Sequence, residues 1–197
     1  MKTKEAARAA LMAIGFTVLL AGCGDDPVKP AATLTEAEAG ALFKAMGTLG
    51  VLDDDAEPGA SVDTTLACPG GGEARIVGSA KDRTSGDTIR LDIVTVVTPA
   101  GCVVTGDGRQ FTVDGDPSVR IETNIEVVAL RNSTLTGGVE GDVEWTLADR
   151  SGTCAIDLEL DAAVDLSDPA SPAVTGGWEG KLCGHDVKLP LTVVSGA

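Results

Sequence analysis

From Glu73 onward the chain alternates apolar and polar residues with a period of two. Val119, Ile121, Thr123, Ile125 and Val127 alternate with Arg120, Glu122, Asn124 and Glu126. Val139, Gly141, Val143, Trp145 and Leu147 alternate with Glu140, Asp142, Glu144 and Thr146. Cys154, Ile156, Leu158, Leu160, Ala162 and Val164 alternate with Asp157, Glu159, Asp161 and Asp165. Such runs predict strands with one packed face and one wet face. Residues 87–98 turn apolar on both faces toward their end, which predicts a strand covered by a helix. Turn signals separate the runs: DRTSG (82–86), TGDG (105–108), DGDP (114–117), DRSG (149–152) and SDPASP (167–172). About eight strands are expected between Glu73 and Val194. Short connections predict an antiparallel meander with right-handed twist, forming a barrel or a sandwich.

One helical pattern precedes the strands. Thr35 with Glu38 three residues on is a capping box. Leu42, Phe43 and Met46 then share a face, and Gly47 or Gly50 ends the helix. A helix this short with so few apolar anchors is marginal alone, so it is expected to dock on the strands. Residues 51–66 have no period and read as an acidic loop. TGGVEG (136–141) recurs as TGGWEG (175–180), which suggests hairpins built on glycines that let a strand bend.

Composition narrows the class. Only 3% of the residues are aromatic and Tyr is absent, so Val, Ile, Leu and Ala must fill the core. The formal net charge of −15 argues against nucleic acid, which needs clustered Lys and Arg, and against electrostatic binding to anionic membranes.

The first residues read as a leader. Lys2, Lys4 and Arg8 precede an uncharged stretch from Ala9 to Ala21. That stretch is too short to span a ~30 Å hydrocarbon core and suits a signal peptide. It ends in Leu20-Ala21-Gly22-Cys23, which resembles the lipobox of bacterial lipoproteins. The resemblance covers the leader alone. It implies diacylation of the Cys23 sulfur, cleavage before Cys23, and hence a lipid anchor in the membrane. Two acyl chains give stable anchoring where one does not. Gly24 rather than Asp after Cys23 implies, by the Gram-negative sorting pattern, an outer-membrane protein facing the periplasm or the cell surface. Beyond the lipobox the chain resembles small β-rich envelope lipoproteins, a class that implies no particular activity. The expected organisation is therefore a signal peptide (1–22), a lipidated tether (23–33), a helix (34–50), an acidic loop (51–66) and a disulfide-stapled β domain (67–197).

With Cys23 assigned to lipid, Cys68, Cys102, Cys154 and Cys183 remain, an even number in an exported chain. A hairpin turning near residue 84 sets Cys68 opposite residue 100, two from Cys102. One turning near residue 169 sets Cys154 opposite residue 184, one from Cys183. Hairpin geometry thus predicts Cys68–Cys102 and Cys154–Cys183. Zinc is disfavoured, because no CxxC pair is present and His185 is the only histidine.

No motif assigns an activity. His185 lies in a tight turn, LCGHDV, with no nucleophile elbow in the chain. No phosphate loop, dinucleotide fingerprint or haem-attachment motif is present, and no cofactor is expected. Asp157, Glu159 and Asp161 are weak calcium candidates, projecting from one strand face about 6.5–7 Å apart. Trp145 and Trp178 read as core fillers. The sequence therefore predicts a non-catalytic envelope protein with a structural or interaction role. The alternative is a binding module for a small apolar ligand or calcium. A protein or small-ligand partner is expected and not specified.

Overall fold

The computed structural model describes residues 32–49, 61–129, 132–165, 167 and 173–191. Helix α1 runs Glu36–Met46. Its capping box forms as expected: the Thr35 amide donates to Glu38 Oε2 at 2.9 Å, and the Glu38 amide donates to Thr35 Oγ1 at 3.3 Å. Of the two candidate terminators Gly47 is the cap, its amide donating to Phe43 O at 3.0 Å. Ala39, Ala41, Leu42 and Ala45 form the buried face.

Among the described residues nine strands follow: β1 Ser61–Ala67, β2 Glu73–Asp82, β3 Thr88–Ala100, β4 Cys102–Gly106, β5 Arg109–Val128, β6 Asn132–Leu147, β7 Arg150–Asp165, β8 Ala173–Leu182 and β9 His185–Pro190. They form one antiparallel sheet in the order β1-β2-β3-β5-β6-β7-β8-β9, with β4 paired to β5. The expected mainly β meander is thus what forms. Among the described residues β1 and β9 are its edges, and they do not pair with each other to close a barrel.

The branch at β4 comes from the length of β5. Its first residues pair with β4, and from Val119 it pairs with β3 instead. Gly101 turns the corner between β3 and β4 at φ 55°. DGDP, expected as a turn, lies inside β5: the register with β6 shifts between Gly115 and Val119, a bulge that accommodates Pro117.

The sheet has an outer face, which carries the polar residues, and an inner face, which carries the apolar ones. α1 packs on the inner face against β4, β8 and β9 rather than over β3, where both apolar faces had predicted a helix. Here the backbones nearly touch. A Cβ on Gly106 would lie 1.9 Å from Ala41 O, so only glycine admits the helix. Phe43 meets Trp178 edge-on, ring centroids 5.7 Å apart. Leu42, Phe111, Val113 and Trp145 are at most 1% exposed, and the Trp145 Nε1 donates to Thr153 O at 3.3 Å. Both tryptophans are therefore core residues, Trp178 half-buried.

The repeated hexapeptide is a structural repeat. Gly137 and Gly176, equivalent in the two copies, have φ 157° and 88°. A Cβ there would lie 2.0 Å from Glu122 O and 2.1 Å from Asp161 O respectively. Each glycine thus bends a strand toward its neighbour's backbone where no side chain fits.

Both disulfides form with the expected partners, Cys68–Cys102 and Cys154–Cys183. Cys154 sits as the hairpin argument required, because Ile156 pairs with Leu182 and Cys183 follows at the hairpin's open end. Cys68 does not. It lies in the turn between β1 and β2, and it ties that turn to Cys102 at the start of β4. The first part of the expected acidic loop is outside the described residues, and its end is strand β1, missed because SVDTTLA carries few apolar residues.

Candidate functional site

The predicted lipidation site, Cys23, lies outside the described residues. The chain nearest to it enters at the end of the sheet that holds both disulfides and α1, here the helix end. The Ala32 amide donates to Ser151 O at 3.0 Å. His185 Nε2 donates to Leu34 O at 2.8 Å. Arg150 donates to Glu38 Oε1 at 2.8 Å. Three contacts from β7 and β9 therefore seat the helix entry. Glu38 is the most perturbed acid among the described residues. Its carboxyl is lowered to about 2, first by the Thr35 amide and then by the Arg150 guanidinium. The capping box made Glu38 legible in the sequence. Arg150, 112 residues away, had no local signal.

His185 is therefore a half-buried structural residue. It opens β9, and its hydrogen bond goes to a main-chain carbonyl rather than to a nucleophile.

The calcium candidates stand on the outer face of β7. Among the described residues no three His, Cys, Asp or Glu side chains lie close enough to share a metal ion, so Asp157, Glu159 and Asp161 do not converge. They line an open depression of about 930 Å³ across β7, β8 and β9, floored by Gly177. Its lysines are engaged within β8 and β9: Lys181 with Asp186 at 2.8 Å, and Lys188 with Glu179 at 2.8 Å. The Lys181 hydrogen bond lowers the Asp186 pKa.

Some acids on this outer face stand opposite acids, although Glu140 also faces Arg120 and Glu179 also faces Lys188. Glu140 pairs directly with Asp157, Glu159 with Glu179, and Asp114 with Glu144. Like charges directly opposite on a sheet repel. The sequence alternation showed that these acids face water. It could not show that they face one another, because that depends on strand register.

The second surface is the inner face at the opposite, open end. Ile93, Ile125, Leu135, Val164 and Val174 point there and are half-buried among the described residues. No helix among the described residues covers them.

No protein-family model matches the chain, and no curated protein and no solved structure is significantly similar to it. The functional reading therefore rests on these residues alone.

Proposed function

We propose that this protein is a lipid-anchored, non-catalytic module of the cell envelope that acts through surface contact. The observation that carries the proposal is Leu20-Ala21-Gly22-Cys23 at the end of an uncharged, signal-length segment. The entry of the chain supports it. The segment from Cys23 to Ala32 reaches at most about 30 Å. An anchor at Cys23 would therefore keep the entry of the β domain within about 30 Å of the bilayer. The net charge of −15 would keep the body off an anionic surface. Gly24 directs the proposal to the outer membrane.

Mass spectrometry of the mature protein tests the anchor directly. The expected result is a chain that begins at an acylated Cys23. Cys23→Ser should move the protein from the membrane fraction to the soluble fraction. An unmodified Cys23, or a Cys23→Ser variant still held in the membrane, overturns the reading.

The half-buried apolar residues at the open end favour one second reading, a binding module for a small apolar ligand. A thermal-shift screen with long-chain fatty acids addresses it. A ligand at 100 times its Kd adds about 2.7 kcal/mol and raises the Tm measurably. No shift at saturating fatty acid removes that reading and leaves the anchor untouched.

A further inference from the structure

We propose that strand β1 is a pairing edge for a second copy of this chain, joined antiparallel about a two-fold axis through Thr64. The proposal names a partner for the contact role above, and its test does not depend on the anchor at Cys23.

β1 is an open edge. Among the described residues it pairs with β2 alone. Its backbone phase follows from one hydrogen bond, the Cys68 amide to Gly72 O at 3.1 Å. N–H and C=O of one residue point to the same side of a strand, and the side alternates. Even-numbered residues of β1 therefore address β2. Ser61, Asp63, Thr65 and Ala67 aim their backbone groups away from the sheet.

Native edges are usually guarded by proline, lysine, a bulge or an inward charge. The other edge, β9, carries Lys188 and Pro190. β1 is SVDTTLA, with no proline, no lysine and an unbroken register to β2. Its single charge, Asp63, is already met by Arg75 of the same chain, at 3.0 and 2.8 Å. Nothing on β1 repels a second strand. Leu66, at its end, is 44% exposed.

The strand is also palindromic in residue class. Two copies crossing at Thr64 pair Ser61 with Ala67, Val62 with Leu66 and Asp63 with Thr65, and Thr64 faces its own counterpart. Small meets small, apolar meets apolar, and no like charges meet. The pairs that face outward in backbone phase, Ser61 with Ala67 and Asp63 with Thr65, are the ones that must exchange hydrogen bonds. Thr64 then sits in a non-hydrogen-bonded pair, as its phase requires. A shift that centres the axis on Asp63 places two carboxylates opposite each other, which is repulsive. A shift that centres it on Thr65 sets Val62 against Cys68, beyond the end of the strand. The central register alone uses all seven residues of β1 without a clash. A symmetric, self-complementary contact of this kind is the commonest way soluble chains form dimers. Seven-residue pairing buries less than the ~1,000 Å² of a stable interface. The dimer is therefore weak and reversible, and confining the chains together strengthens it.

Disulfide trapping in the full chain tests the register, both in membranes and after purification in detergent, with the parent chain as the blank. Thr64→Cys brings two thiols face to face, about 4.5 Å apart at Cα across the axis. That separation permits a disulfide. Thr65→Cys places its thiols diagonally, beyond the ~7 Å limit. Mild oxidation should give at least about tenfold more dimer from Thr64→Cys than from Thr65→Cys. Adding Thr65→Pro to Thr64→Cys should cut the dimer by a similar factor. It removes an outward N–H, leaves the β1–β2 ladder intact and should leave the Tm unchanged. Equal trapping at the two positions overturns the proposal, as does no dimer from Thr64→Cys. A Thr64→Cys adduct whose mass is not that of two copies also overturns it, because the edge would then serve a different polypeptide.

Discussion

At the helix end, Leu42, Phe111, Val113 and Trp145 are at most 1% exposed. At the open end, Ile93, Ile125, Leu135 and Val174 lie on the same face of the same sheet and are only half-buried. The residues are equally apolar. They differ in what lies over them. The helix end has α1, the glycine contact at Gly106, two disulfides and the ties from Arg150 and His185. The described residues place none of these at the open end. Stability is thus concentrated where the chain enters, and the far end is left accessible. Elements with few buried contacts are the ones that open first and are used for recognition.

Removing a staple should change stability most. Cys154→Ser with Cys183→Ser opens a loop closed over a sequence separation of 29. It should cost about 3.5 kcal/mol, read as a lower urea midpoint. A loss below about 1 kcal/mol would show that the helix end does not depend on its cross-links.

A matched pair of core truncations compares the ends directly. Leu42→Ala, at a fully buried position, should cost about 3 kcal/mol. Leu135→Ala, at a half-buried one, should cost about 1 kcal/mol, because less surface leaves water on folding. Equal losses in urea unfolding would abolish the distinction between the ends.

The seat of the helix should carry a pH signature. The Glu38 pKa is lowered in the fold, from 4.5 to about 2. Its contribution is therefore present above pH 4.5 and is lost as pH falls through about 2. Glu38→Gln should cost about 1–2 kcal/mol at pH 7. The gap between parent and variant should close as the urea midpoints are followed from pH 4.5 down to pH 2. A gap independent of pH would mean that the carboxylate charge is not what holds α1.

The smallest effect is expected on the outer face. Glu159→Lys replaces a like-charge pair with Glu179 by an opposite-charge one. It should raise stability by about 0.5 kcal/mol at low salt and by less at high salt. A loss instead would mean that the acidic depression is not strained by its own charge.

Much of this protein is legible in one dimension. Alternation assigned the inner faces of β5 from Val119, of β6 from Val139 and of β7 from Cys154, because side-chain direction in a strand has a strict period of two. The Thr35–Glu38 capping box placed the helix start, because capping is a contact between residues three apart. The even count of cysteines after Cys23, with hairpin geometry, named both disulfides, although Cys68 reached its partner from a turn rather than from a strand. The DGDP segment read as a turn because proline and glycine mark turns and bulges alike. The bulge was selected only by the strands on either side of β5.

The tertiary structure decided what lies between elements far apart in sequence. It seated α1 on β4, β8 and β9, brought Arg150 to Glu38 across 112 residues, and set Glu140 against Asp157. Among the described residues it also left β1 and β9 as edges of an unclosed sheet. Local patterning specifies which way each side chain points. Register, docking and closure depend on long-range pairing, in which many segments of equal apolarity compete, and only the packed sheet settles that competition.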